Sequence, residues 1–320
     1  MMIQKPRYFN FYSIFLLCLW VLAVLIIVAP QFPTLSLVSD YTIHFMVFFF
    51  LIGIGGYFFN NRKIILSSFG ICALLCVILK NESESPFINK DEHSDQVLFA
   101  HINLANVRNP FELLPTLIEM DCDVLSFVEV TPDWEDILES GLALKYKYST
   151  DIVRIDPFGK AVFSKYPLSN VDTIKFEEMT DLSAEINIDG KIYKLYNTYI
   201  IPPLDNNSQV LAKKQLEQLT SKVSGNVNSI VLGEYNMVYW SSLIKSFRFN
   251  TNLQSSRRDI IPSSLDVPRD HIFHSNEMQC LGIKDIHLKD GSRVGLFAKY
   301  RIKSQRTGKD NDSPKLSKLE

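Results

Sequence analysis

The chain has 320 residues, 47% of them apolar, and a formal net charge of −2. That near-balance hides a segregation: residues 1–80 carry five Lys/Arg and one acid, residues 81–300 carry 22 bases against 31 acids (a formal −9), and residues 301–320 carry six bases and three acids. An acidic main domain excludes a broad phosphate-backbone footprint, which rests on clustered positive charge, so nucleic acid is not an expected partner.

Residues 11–29 form a run of 19 without a charge, residues 41–59 another 19 with His44 alone titrating near neutrality, and residues 64–79 a further 16. A membrane span needs about 20 predominantly apolar residues. The expectation for residues 1–80 is a three-helix transmembrane anchor with spans at about 11–29, 41–59 and 64–79. Lys5 and Arg7 precede the first span, Arg62 and Lys63 separate the second from the third, and the loop 30–40 has no base. The positive-inside rule then sets the N-terminus in the cytoplasm and everything beyond residue 80 outside it, in a multi-pass protein of the cytoplasmic (inner) membrane. Gly53, Gly55 and Gly56 would let two of the helices approach closely.

Residues 81–95, NESESPFINKDEHSD, read as a polar linker. Strands are expected at 96–103, 122–130, 161–164, 183–188, 191–199, 229–234, 271–275, 280–287 and 294–302. Helices are expected at 110–120, shortened or kinked by Pro115, at 134–142, near 208–222 and at 241–247. Asp189-Gly190 sits between two strand patterns as a hairpin turn. Many strands with a few intervening helices give an α+β class: a two-sheet β-sandwich flanked by helices over 96–302. The tail 303–320, rich in Lys, Ser, Asp and Gly, is expected to be disordered. Of five Cys, only Cys122 and Cys280 lie in the polar part, and a disulfide between them stays open at this level. No CxxC pair with a His cluster indicates a structural zinc.

Four apolar strands end on polar side chains: Asn103, Glu129, Asn197 with Tyr199, and Glu234 with Asn236. A carboxylate inside a run such as SFVEV is costly unless it is paired or metal-bound. Strand ends presenting polar groups at one sheet edge are where open α/β folds keep their chemistry.

These motifs resemble the endonuclease/exonuclease/phosphatase superfamily of metal-dependent phosphodiesterases, and in particular its bacterial membrane-anchored members. HINLANV resembles the first motif, with Asn103 at its metal-side Asn. DVLSFVEV resembles the strand that carries the metal-binding Glu, here Glu129. FGKAVFSKYPL, residues 158–168, resembles the structural segment Gly-x-Ala-x-x-Ser-Arg-Tyr-Pro-Leu and is the most specific match. YNTYIIPP resembles Asn-Thr-His-x-x-Pro-Pro with Tyr199 in place of the His. LGEYN resembles Gly-Asp-Phe-Asn with Glu234 in place of the Asp and Asn236 kept. RDHIFHS keeps Asp270 and His271 of an Asp-His-Ile-Phe segment. The last motif, Gly-Ser-Asp-His, reads Gly291-Ser292-Arg293-Val294. A shifted alignment would instead use Asp285 and His287.

The resemblance implies a four-layer fold and phosphodiester hydrolysis with Mg2+ or Mn2+ held by Glu129 and Asn103. It also implies catalytic or orienting positions at Glu234, Asn236, Tyr199 and Asp270. The departures imply a degenerate site. Tyr199 is a poor base near neutrality, and Arg293 brings a permanent cation to a metal-side carboxylate's position, where it could pair with Glu129, Glu234 or Asp270. The expected function is a catalytically impaired, membrane-anchored protein that binds a protein partner, or a phosphorylated lipid or glycan, through Asn103, Asn236 and Arg293. In that case it needs no cofactor. The alternative is an active metal-dependent phosphodiesterase or phosphatase on a membrane-proximal substrate.

Overall fold

The computed structural model describes residues 11–29, 35–82, 96–226, 228–256 and 267–302. The tail 303–320 and most of the linker, 83–95, lie outside the described residues.

The N-terminal part consists of helices α1 (Phe11–Val28), α2 (Ser36–Asp40), α3 (Thr42–Phe58) and α4 (Arg62–Glu82). The long helices pack through Leu19, Ala23, Ile26, Phe49, Ile71 and Leu75. Gly53 is needed here, because a Cβ would lie 2.7 Å from the Phe69 ring of α4. Leu17, Val24, Leu51, Phe58, Leu66 and Val77 face outward, the reverse of the polar outer face of a water-soluble bundle. A three-helix transmembrane anchor was expected; helices occupy those places, but their lengths do not support three spans. Among the described residues only Arg62–Asn81 is long and apolar enough to cross a bilayer, while Tyr12–Val28 and Thr42–Phe58 are shorter.

The remainder is a sandwich of two six-stranded sheets. In chain order its elements are β1 (Gln96–Asn103), α5 (Pro110–Met120), β2 (Val124–Val128), α6 (Pro132–Leu142), β3 (Tyr148–Ile152), β4 (Lys160–Ser164), β5 (Leu168–Phe176) and β6 (Met179–Ile188). There follow β7 (Lys191–Tyr199), α7 (Asn206–Val223), β8 (Ser229–Glu234), α8 (Ser242–Thr251), β9 (Gln254–Ser255), β10 (Asp270–His274), β11 (Met278–His287) and β12 (Arg293–Ile302). One sheet has the order β11-β12-β1-β2-β4-β3, the other β5-β6-β7-β8-β10-β9. Each contains one parallel pair, β1 with β2 and β7 with β8. A parallel pair needs a crossover, and α5 and α7 supply the two. Tyr193, Leu195, Phe99 and Leu296 belong to the core between the sheets. α5 and α6 cover the outer face of the first sheet, and α7 and α8 that of the second.

Local chemistry sets the helix ends. The Asn109 side chain accepts from Phe111 N at 3.1 Å, ahead of Pro110 in the first turn, where a missing N–H costs nothing. Pro115 lies within α5 without ending it. α7 starts with a reciprocal capping box between Asp205 and Ser208.

Some expectations needed correction. The strand read at 122–130 is confined to Val124–Val128, because the Asp123 carboxylate is taken by Leu98 N at 2.8 Å and Glu129 turns to φ 63°. β3 and β5 were not anticipated; both are largely exposed and carry few of the apolar residues that mark a strand. Cys122 and Cys280 do not form the disulfide left open by the sequence. They lie in different cores, Cys122 under the helices and Cys280 between the sheets.

Candidate functional site

Strand register brings the singled-out side chains to one end of the sandwich. In the second sheet Tyr199 is opposite Glu234, and Glu234 is opposite Asp270. In the first, Asn103 is opposite Val128, next to Glu129, and Arg293 opens β12 two residues before Gly295, the partner of Ile102. The sheets meet where Asn103 Nδ2 donates to Glu234 Oε2 at 3.4 Å. The Asn103 Oδ1 accepts from Ala105 N at 3.0 Å, which fixes the amide.

Two site residues have left-handed backbones, Glu129 at φ 63° and Asn236 at φ 53°. Asn tolerates this conformation, whereas Glu adopts it rarely, and such outliers gather at functional sites. Asn236 N donates to Glu234 Oε1 at 3.4 Å and its Nδ2 donates to Ile200 O at 2.8 Å. The Asn197 Nδ2 bridges the sheets by donating to Phe127 O at 2.8 Å and Ala161 O at 3.2 Å. Asn197 therefore supports the site from beneath.

Burial and the nearby Asp270 push the Glu234 carboxyl up to about 7, against the opposing hydrogen bond from Asn103. Burial also raises Glu129, again opposed by Asn103. Burial and the Glu129 charge push the Tyr199 phenol up to about 12. At neutral pH Tyr199 is a hydrogen-bond donor and no base. Its ring packs edge-on to Phe158 at 5.7 Å.

Arg293 is clamped. Its Nη2 donates to Asp270 Oδ1 and Oδ2 at 2.7 and 3.0 Å, and its Nε to Asp285 Oδ1 at 2.9 Å. Pairing with Asp270 was expected, and pairing with Glu129 or Glu234 does not occur. Asp285 enters the site only through this contact. The preferred alignment left it out, and the shifted one coupled it to His287, which is exposed. Two carboxylates more than match the Arg293 charge, so Arg293 is not the free anion-binding cation expected. Nη1 alone has no partner among the described residues.

Three contributors were missed. His101, two residues before Asn103 on the same strand face, is fully buried, shares a hydrogen bond of 3.2 Å with Ser126 Oγ, and is held down to about 4 by burial. Its i, i+2 spacing from Asn103 was the signal that could have found it. Lys160 and Asp181 form a buried pair at 3.4 Å, and Asp181 also accepts from Thr198 Oγ1 at 2.8 Å and Tyr199 N at 3.2 Å. This pair sets the end of β7 that presents Tyr199. His271, by contrast, points away from the site to the helical face, where its Nε2 donates to Met237 O at 2.7 Å.

The donor set can be tested against a divalent cation. Glu129 and Asn103, the expected metal ligands, are in hydrogen-bond contact, but no group of three or more His, Cys, Asp or Glu suited to a metal occurs among the described residues. Asp270 and Asp285 are both committed to Arg293, and Glu234, the remaining carboxylate at this end, is buried, accepts from Asn103 and is pushed up to about 7 by burial and by Asp270. A guanidinium in that position repels a second cation. The residues present do not fit a family-type metal centre.

Comparison with known proteins agrees with the fold. The Endonuclease/Exonuclease/phosphatase family matches residues 100–292. An endonuclease/exonuclease/phosphatase from Beutenbergia cavernae is similar in fold, at 13% identity and TM-score 0.55, over 65% of this chain and 72% of that one. The human Nocturnin catalytic domain with bound sulfate anion is similar at 15% identity and TM-score 0.52, over 65% and 95% of the two chains. ANGEL2, a 2',3'-cyclic phosphatase, is similar at 14% identity and TM-score 0.53, over 68% and 99%. No curated protein matches the chain. The match over residues 100–292 covers more than half of the sequence, and the chain belongs to the Endonuclease/Exonuclease/phosphatase family.

Proposed function

We propose that the protein is a membrane-held member of this family that uses its phosphodiesterase-type site to bind a phosphorylated ligand or a partner without hydrolysing it. The observation that carries this reading is the clamp of Arg293 between Asp270 and Asp285. It puts a fixed cation and two spent carboxylates where the resemblance calls for metal chemistry. Tyr199 and Val294, at the two His positions of the motifs, cannot accept a proton at neutral pH. The membrane reading is supported by the outward apolar residues of α1, α3 and α4. The basic residues flanking those helices support an arrangement at the cytoplasmic membrane with the N-terminus in the cytoplasm and the family domain outside it.

The test is Mn2+ binding by calorimetry, together with hydrolysis of a generic phosphodiester, on the full chain in detergent. Wild type is expected to show neither. The fourfold variant Tyr199→His, Glu234→Asp, Arg293→Asp, Val294→His is expected to gain Mn2+ binding. Metal-dependent hydrolysis by wild type that Glu129→Ala abolishes would overturn the binding reading and establish a hydrolase.

A further inference from the structure

Where the N-terminal helices meet the sandwich, a cleft of about 310 Å³ opens between α2 and the layer of α7 and α8. None of the strand-end residues of the site described above lines it. Its walls are held together by specific contacts. The Trp240 indole N–H donates to Ser39 O in α2 at 2.7 Å, and Val238, Tyr239 and Trp240 pack with Ile43 at the start of α3 and Leu79 near the end of α4. The volume is at the lower end of the about 300–1,000 Å³ usual for small-molecule sites, and the inner surface is mostly apolar, as such sites are.

The two walls differ in charge. On the α2 side stands Asp40, which forms no hydrogen bond through its side chain and no ion pair among the described residues. Burial pushes its carboxyl up to about 6, against the charge of Arg269, so it is ionised at neutral pH and poorly hydrated. The opposite wall is built from the starts of α7 and α8, and neither helix has an acid in its first turn. Ser241 Oγ accepts from Ile244 N at 3.3 Å, which leaves the Ser242 and Leu243 amides without an acceptor among the described residues. Helix starts of this kind favour an anion. Lys213 adds a cation to the same wall, held only loosely by Glu217 at 3.8 Å between exposed side chains. Asp40 and Lys213 line one cleft and do not pair with each other. Gln209 lines it too: it is 9% exposed, and its carboxamide has no hydrogen-bond partner among the described residues. A buried amide left unpaired is costly, and a polar ligand would satisfy it.

We infer that this cleft is a binding site for a small zwitterion with an apolar body, of which an apolar α-amino acid is the simplest case. The ammonium meets Asp40, the carboxylate meets Lys213 and the start of α8, and the Gln209 carboxamide bonds to the polar end. Val210, Met237 and Leu243 supply apolar surface for the body. A ligand with an ammonium alone would leave Lys213 and the helix start unanswered, and one with a carboxylate alone would be repelled by Asp40. The inference does not depend on what the site at Glu129 and Arg293 does.

The experiment is calorimetry on the full chain in phosphatidylcholine nanodiscs. The probes are L-phenylalanine, phenethylamine and 3-phenylpropionate, which share a ring and carry both charges, the ammonium alone and the carboxylate alone. Phenylalanine should bind at least about tenfold more tightly than either of the others. Asp40→Asn should remove its advantage over 3-phenylpropionate, and Lys213→Gln should reduce its advantage over phenethylamine. Gln209→Leu should weaken it by about tenfold. Val210→Trp, at a half-exposed position that fills the cleft, should weaken all three probes with thermal unfolding unchanged, so the test stands even if Asp40→Asn fails to fold. No binding of phenylalanine, equal affinity for the three probes, tighter binding of a singly charged one, or indifference of phenylalanine binding to Val210→Trp would each overturn the inference.

Discussion

Arg293 Nη2 donates to both oxygens of Asp270, at 2.7 and 3.0 Å, while the same nitrogen lies 2.8 Å from Asp285. Asp270 is 1% exposed and Arg293 21% by side chain. Removing one member of a buried pair leaves an unpaired charge, at a cost of about 3–5 kcal/mol. Arg293→Met should lower the urea midpoint accordingly, and adding Asp270→Asn should recover part of the loss. Arg293→Lys should fall between, since an ammonium lacks the planar fork that reaches both carboxylates.

Lys160 and Asp181 are the second buried pair, 0% and 5% exposed by side chain. Lys160 also donates to Thr180 O at 2.6 Å and Phe158 O at 3.1 Å. Lys160→Met should cost about 3–5 kcal/mol in chemical unfolding. Lys160→Met with Asp181→Asn should cost less than Lys160→Met alone, because the carboxylate left behind is the expensive part.

Gly159 bears on Glu129 through the backbone. A Cβ there would lie 2.0 Å from Val130 O, and Val130 N donates to Gly159 O at 3.2 Å. This accounts for a glycine at the head of the segment FGKAVFSKYPL. Gly159→Ala must push the Glu129–Val130 turn outward. The expected result is a loss of at least about 2 kcal/mol, with altered amide shifts at Glu129 in the NMR spectrum.

The two most buried titrating groups of the site oppose one another. His101 has its ordinary value of 6.5 lowered to about 4, so folding releases a proton between those limits and stability rises with pH across them. Glu234 has its ordinary value of 4.5 raised to about 7, so the folded state holds an extra proton there and stability falls as pH rises through that window. Between 4.5 and 6.5 the two slopes offset each other. Glu234→Gln should unmask the His101 slope, up to about 1.4 kcal/mol per pH unit. His101→Asn should give the opposite slope. Denaturant titrations at stepped pH measure both.

The sequence was most informative where a buried strand ends abruptly. β1, β2, β7 and β8 are apolar runs closing on Asn103, Glu129, Tyr199 and Glu234, and the sandwich needs all four in its middle. Edge strands β3 and β5 face water and carry no such pattern. Asp285 was hidden for a different reason: it lies opposite Leu296 and meets Arg293, the partner of His287, only diagonally across β11 and β12, a relation set by register and by the irregularity between Ile286 and His287. Lys160 lies in FGKAVFSKYPL, a segment that the resemblance marks only as structural. Only the depth of β4 between two sheets turns it into a buried cation.

The bond from Trp240 to Ser39 has a practical consequence. A fragment cut before residue 96 would lose Ser39, Ile43 and Leu79 together. It would bare the indole, Val238 and Tyr239 in the loop that carries Asn236. Such a fragment would be prone to self-association, and any silence in its assays would describe the truncation instead of the protein. Informative biochemistry on this molecule begins with the intact chain.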